Sequence, residues 1–424
     1  MKDSFINVRT DKKSPIWDQC IMRQTSLYDR DNSIRSEFER DYTRLMHCRA
    51  FSRLKHKTQV FYAPHNDHVC TRMEHVMHVE SVSRTIAKYL GLNTELTSAI
   101  AIGHDIGHAP FGHTGEDILN SLIKYQKEGL NAPKKFWHER NSLFLADYIE
   151  TLSDPDGNLK NLDLTYAVRD GLICHCGEID QKSLKPRSEA MNLYDIKRPG
   201  YISPYTWEAC IVKISDKIAF LGRDIEDART YHIIDMAGYR QLREIVSSTL
   251  GFSQDNDRIH RSGKAVNTTV LINDMIVDLC NQSNPDDGFN FSEPYFNFIR
   301  ELKSFCFANI YNHWRLVEFT NYAKVVLGGI YNTLMHLRIF AINGTMDKTL
   351  RYAPNLSQSF LSWLIKYTNY KPRGNENAKE KLHYQTKEVF DVNDEESFEK
   401  CVIEYISGMT DQYAINIYEE IISF

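Results

Sequence analysis

Apolar residues recur every three to four positions over most of this chain, the period of an amphipathic helix, while Val/Ile/Thr alternation is scarce. Between 34 and 54, Phe38, Tyr42, Leu45, Met46 and Phe51 follow that period with Arg and Glu between them, which predicts a charged-faced helix entered from Asp29, Arg30 and Asp31. A second helix is predicted over 70–90, ended by Gly91, and a third over 94–106 with Thr94 as its N-cap. Further helices are predicted over 116–127, 138–151, 162–174 and 207–230. The remainder, 235–424, continues as helices broken near 251–257, 284–288 and 371–377. Residues 1–33 lack the period and read as an arm with little regular structure. Residues 55–64 read as a short strand or loop, 153–158 as a turn and 186–204 as a surface loop. The expected fold class is all-α with room for one small hairpin. The expected division is an arm at 1–33, a core at 34–235 and a helical C-terminal region at 236–424, with no repeat of 20–50 residues.

Composition narrows the function classes. The 51 Lys+Arg are outnumbered by 56 Asp+Glu, giving a net charge of −5 and no support for a broad nucleic-acid-binding face. Nine cysteines, an odd number in no small-domain framework, point to a reducing cytoplasm. No stretch is expected to span a membrane, and the N-terminus has no signal-like apolar segment.

The chemistry concentrates in His104-Asp105-Ile106-Gly107-His108-Ala109-Pro110-Phe111-Gly112-His113-Thr114-Gly115-Glu116. The His-Asp doublet offers an imidazole and a carboxylate to one divalent cation, and helical spacing would put His108 on the face of His104. Gly107, Pro110 and Gly112 break the helix, so His113 and Glu116 are aimed from a new segment. His75 and Arg72 lie on an earlier helix. Asp216, Phe220, Arg223 and Asp224 form one stripe on the apolar helix at 207–230, which must be solvated, paired or facing a site. Two His and two Asp make a mixed N/O set suited to Mn, Mg or another first-row transition metal, without the thiolates of structural zinc. Cys174-His175-Cys176 has no partner pair and reads as packing. The aromatic-rich 289–319 segment reads as core or subunit interface.

In order, His75, His104-Asp105 and Asp216 resemble the H…HD…D signature of the HD superfamily of metal-dependent phosphohydrolases. Further motifs are similar to those of its deoxynucleoside triphosphate triphosphohydrolases, the bacterial dGTPase-like branch: His56 to Phe61, Asn66 to Arg72, Gly103 to Glu116, His138 to Ser142, Gly171 to Glu178 and Ser215 to Ala228. The resemblance implies His75, His104, Asp105 and Asp216 as metal ligands, a His113–Glu116 catalytic dyad, and His138 as a second active-site histidine. It implies phosphate contacts from Arg72, His108 and Lys217, and sugar contacts from Gln59, Val60 and Asp224, with Tyr311 closing over sugar and base. Phe220 stands where a tyrosine is common in that family. The implied reaction is attack of water at the α-phosphorus of a dNTP, dGTP among them, releasing a deoxynucleoside and triphosphate. Relatives of this kind form dimers to hexamers, some with an activating nucleotide between subunits. Two other classes stay open: a different HD hydrolase acting on a monophosphate or a guanosine polyphosphate, and a non-catalytic module that binds nucleotide or single-stranded nucleic acid.

Overall fold

Several helices form where a capping side chain precedes an apolar stripe. The computed structural model describes residues 3–25, 34–62, 68–125, 135–176, 182–251, 267–382 and 386–423. After a short α1 (Trp17–Ile21), α2 (Glu37–His47) starts at a capping box of Ser36 and Glu39. It stops at the extended Cys48, so the single helix expected over 34–54 is two pieces, with α3 (Arg49–Arg53) following. The next helix, α4 (Arg72–Leu90), begins at a second capping box, Thr71 with Glu74, and ends at the left-handed Gly91. Asn93, not Thr94, caps α5 (Thr94–Gly103), its side-chain oxygen accepting from the Glu95 and Leu96 N–H groups. This helix stops one residue before the His-Asp doublet.

Downstream come α6 (Gly112–Leu122), α7 (His138–Phe144), α8 (Tyr166–Cys174) and α9 (Trp207–Thr230). The hairpin is β1 (Thr151–Ser153) with β2 (Leu159–Asn161), antiparallel across the predicted turn. The C-terminal half holds α10 (Met236–Leu250), α11 (Thr268–Gln282), α12 (Glu293–Cys306), α13 (Trp314–His336), α14 (Arg338–Ile342), α15 (Pro354–Tyr367), α16 (Ala378–Lys381), α17 (Glu395–Ser407) and α18 (Asp411–Ile422). A second antiparallel pair, β3 (Ser183–Leu184) with β4 (Phe289–Asn290), pins the long loop to this half. The fold is all-α in substance. The breaks at 284–288 and 371–377 fall between helices, while 252–257, 126–127, 29–31, 66–67 and 177–178 lie outside the described residues.

Two buried apolar cores meet at α9. One gathers Leu45, Leu96, Ile100, Leu172 and Val212 with Val326, Ile330, Phe398, Val402 and Ile406 from far down the chain. The other gathers Phe5, Ile86, Ile211, Ile218 and Leu221 with Leu271, Met275, Phe298 and Leu302. Both cores therefore cross residue 235, so residues on either side of it pack into the same interiors. The described part of the N-terminal segment has little regular structure beyond α1, as expected, and is anchored to the body by single contacts. Phe5 is fully buried, stacked on Phe289 at 4.8 Å, and its N–H donates to the Leu90 carbonyl. Thr10 donates its N–H and hydroxyl to buried Glu208, and Arg23 pairs with buried Asp41 at 2.6 Å. Single anchors hold this segment, so it carries no period to read. One further expectation changes: the run Trp314–Ile342 is long and apolar enough to cross a membrane by length and composition. Its buried stripe, Ala323, Val326, Leu327, Ile330 and Leu334, belongs to the first core.

Candidate metal and phosphate site

Three helices and one turn build the site. His75 sits one turn into α4, Asp216 in the middle of α9, and His104-Asp105 in the turn that follows α5. The helical extension expected through His108 is absent, because the chain bends past Gly103 and packs against α7. A Cβ on Gly107 would stand 2.1 Å from the Ser142 nitrogen and 2.3 Å from the His138 carbonyl, so only glycine permits that approach. Ser142 and Asn141 lock the turn: Gly107 N–H donates to Ser142 Oγ, Ser142 donates to the His104 carbonyl, and Asn141 Nδ2 donates to the Gly107 carbonyl.

The residues singled out by sequence come together here. His75 Nε2 lies 2.9 Å from Asp216 Oδ1 and 3.9 Å from Asp105 Oδ2. His104 Nε2 lies 3.4 Å from Asp105 Oδ1 and 3.9 Å from Asp216 Oδ1. The donor atoms of His75, His104 and Asp216 all lie within 4.8 Å of one another. His104 donates Nδ1–H to the Ala101 carbonyl at 2.7 Å, which fixes the tautomer and leaves a buried Nε2 lone pair with no hydrogen-bond partner among the described residues. That is the arrangement of a metal-ligating histidine, and the mixed N/O set fits a divalent cation.

Around this cluster lies a basic wall. Arg72 is 1 % exposed, and its Nη1 pairs with Asp105 Oδ2 at 2.6 Å. Its Nε and Nη2 are buried without hydrogen-bond partners among the described residues, close to Gly112. His108 Nε2 meets Asp105 Oδ1 at 3.1 Å, and burial, with Arg72 and His138 beside it, holds its pKa well below the ordinary value. Lys217 follows Asp216 on α9, half-buried.

The acid–base group lies on the other side. His113 and Glu116 share the first turn of α6, as their spacing predicts, with His113 Nδ1 3.6 Å from Glu116 Oε2. Glu116 has a shorter contact with His138, whose Nδ1 is 3.0 Å from the same oxygen and whose backbone N–H donates to Oε1. His138 is buried and stacked on His108 at 3.7 Å, whereas the His113 side chain is 67 % exposed. Burial pushes the His138 pKa down, but the Glu139 and Glu116 carboxylates outweigh it and raise it to about 9. Burial pushes Glu116 up, yet His138 and His113 hold it well below the carboxylate range.

The remaining residues line one flank. Thr58 bridges to Thr71, so Gln59 and Val60 sit beside the start of α4, and Gln59 Oε1 is buried without a hydrogen-bond partner among the described residues. Tyr311, in the turn after α12, donates to Asp224 Oδ2 at 2.5 Å, and Oδ1 has no hydrogen-bond partner among the described residues. Burial raises Asp224 to about 6. Phe220 packs against the second core, and Arg223 turns away to Glu226 at 3.3 Å and Asp227 at 3.8 Å.

Sequence reasoning missed His175. It ends the fully buried α8, donates Nδ1–H to the Leu172 carbonyl at 2.8 Å, and brings Nε2 to 3.9 Å from Asp105 Oδ1. Its ring lies 4.9 Å from that of His104, and the two histidines make the same i−3 carbonyl bond. Burial and the neighbouring His104 push its pKa down to about 3, so it is a neutral donor. The signal was a lone histidine closing a mostly apolar helix, hidden by the flanking cysteines. Those are buried and form no disulfide, as is true of all nine.

A histidine–aspartate centre at the junction of helices, flanked by a buried guanidinium, defines a phosphohydrolase of the HD class. Residues 72–221 match the HD domain family and residues 368–420 the phosphohydrolase-associated domain family. Three similar proteins are each named deoxyguanosinetriphosphate triphosphohydrolase-like protein. That of Desulfatibacillum aliphaticivorans is 33% identical, covering 72% of this chain and 74% of its own. Those of Caldanaerobacter subterraneus and Geobacter metallireducens are each 29% identical, covering 92% and 91% of this chain and 85% and 89% of their own. The chain belongs to the deoxyguanosinetriphosphate triphosphohydrolase-like family of HD-domain proteins.

Proposed function

We propose that the chain hydrolyses deoxynucleoside triphosphates, dGTP first among them, at the α-phosphorus, releasing deoxynucleoside and inorganic triphosphate. The observation that carries this reading is Arg72, a buried cation with two nitrogens unsatisfied among the described residues, beside the His-Asp pair. Leaving such groups unpaired costs roughly 1–3 kcal/mol or more, a cost that an incoming phosphate oxygen removes. His75, His104, Asp105 and Asp216 would hold the divalent cation, which when bound supplies Lewis-acid charge and a water of lowered pKa. Arg72, Lys217 and His108 take the phosphates. The His138–Glu116 pair, with His113 at its exposed side, holds the proton for the departing ester oxygen. Gln59, Val60, Asp224 and Tyr311 receive the sugar, and Asp224 Oδ1 is an acceptor for a sugar hydroxyl. Residues 236–424 complete the pocket through Tyr311 and help to carry the subunit contacts of a homo-oligomer. Exposed Trp314, Val317 and Val325 on α13 support such contacts, and an activating nucleotide would lie at them. Nine cysteines in no disulfide suit a reducing cytoplasm.

The test is product identity with each dNTP, singly and mixed, in Mg and in Mn. Deoxyguanosine plus triphosphate is expected from dGTP. Production of dGMP plus pyrophosphate would refute attack at the α-phosphorus with a nucleoside leaving group, and turnover of monophosphates alone would favour a different HD hydrolase.

A further inference from the structure

The turn between α17 and α18, outside the HD domain match, reaches into the site from behind. Asp411 is 3 % exposed, and its two oxygens take one backbone N–H each from two distant segments. Oδ2 accepts from Thr58 at 2.8 Å, and Oδ1 accepts from Phe111 at 2.8 Å. Thr58 is the residue before Gln59 and Val60. Phe111 is the residue before α6, which carries His113 and Glu116. Phe111 has φ 65, a left-handed conformation that a bulky side chain rarely adopts. Asp411 is not spent on capping its own helix, because Thr410 is the N-cap and accepts from Tyr413 N–H. The same turn makes two further ties. Buried Lys57 donates to the carbonyls of His108 and Ser407, and Asn141 Nδ2 donates to both the Gly107 carbonyl and Ser407 Oγ.

We infer that Asp411 is a positioning residue for the reaction proposed above: one carboxylate sets the spacing between the segment that receives the sugar and the helix start that carries the acid–base group. A carboxylate is suited to this because its two oxygens are rigidly spaced and both accept, so two N–H groups on separate segments are held at one separation. The sugar end and the proton-donating end of a substrate must be placed together for the ester oxygen to meet its proton, and an error near 1 Å can cost on the order of 100-fold in rate. The inference rests on the proposed function for its catalytic consequence, but not for its structural content.

The test compares the full chain with Asp411→Asn, Asp411→Glu and Ile417→Ala, a core truncation in the same helix that removes neither of the Asp411 hydrogen bonds. Amide hydrogen exchange is followed in peptides spanning 57–62 and 108–115, alongside metal content, kcat and KM. Asn replaces one acceptor with a donor, and Glu moves the acceptors by one methylene. Both are expected to raise exchange in the two peptides together, keep metal content, and lower kcat/KM by about 100-fold. Ile417→Ala is expected to lower Tm while leaving exchange in both peptides and kcat/KM near wild type. Asp411 variants that change no more than Ile417→Ala, or that loosen one segment alone, would overturn the inference. If the wild type turns over no nucleotide, the proposed function fails, and the exchange data still decide whether Asp411 couples the two segments.

Discussion

At the scale of single residues, charge state decides what each group can do. His138 is raised to about 9 by carboxylates that outweigh its burial, so it keeps its proton through neutral pH and loses it as pH rises through 9. The kcat/KM profile is expected to fall on the alkaline side near there, and Glu116→Gln, which removes one of those carboxylates, to move that limb to lower pH. An unmoved limb would put the proton elsewhere. Asp224 is also raised, but by burial itself. Its folded pKa of about 6 lies above the ordinary 3.8, so its contribution to stability is full below about 4 and lost as pH rises through 6. At neutral pH that amounts to roughly 3 kcal/mol of destabilisation, to order of magnitude. Asp224→Asn is therefore expected to raise Tm at pH 8, with the gain shrinking as pH falls toward 4, and to raise KM for a dNTP. His175→Ala is expected to weaken Mn binding by about 10–100-fold in titration calorimetry, the range typical of losing a histidine that orients or completes a metal site. Unchanged affinity would make His175 packing only.

At the scale of elements, the helices were legible because each buries a stripe. The long α9 formed over the predicted 207–230, and α4 ended at its predicted glycine. What stayed hidden was decided by single contacts rather than by period. Examples are the stop at Cys48, Asn93 displacing Thr94 as the cap, and the N-terminal segment held by Phe5, Thr10 and Arg23. The set His75, His104-Asp105 and Asp216 could be read from order alone. The turn that delivers it could not, because its shape depends on Gly107 against α7. Gly107→Ala would force Ser142 and His138 away, and it is expected to lower Tm by several degrees and to reduce Mn content in the purified protein. A variant with full metal content and normal Tm would show that the turn has slack.

At the scale of the whole molecule, the site is shared between halves that sequence reasoning divided at 235. Both cores cross that point, Tyr311 meets Asp224, and Asp411 meets Thr58 and Phe111. Metal linkage should therefore be felt globally: chelation is expected to abolish turnover and lower the Tm of the single cooperative transition, with Mn restoring both. A local loss of activity with unchanged Tm would mean that the cation adds little to the fold. The central claim concerns which bond breaks, and phosphorus NMR of a dGTP reaction in Mn reads it directly. The expected spectrum shows inorganic triphosphate growing as dGTP declines, with deoxyguanosine as the only nucleoside product. Resonances of dGMP and pyrophosphate in its place would contradict the account.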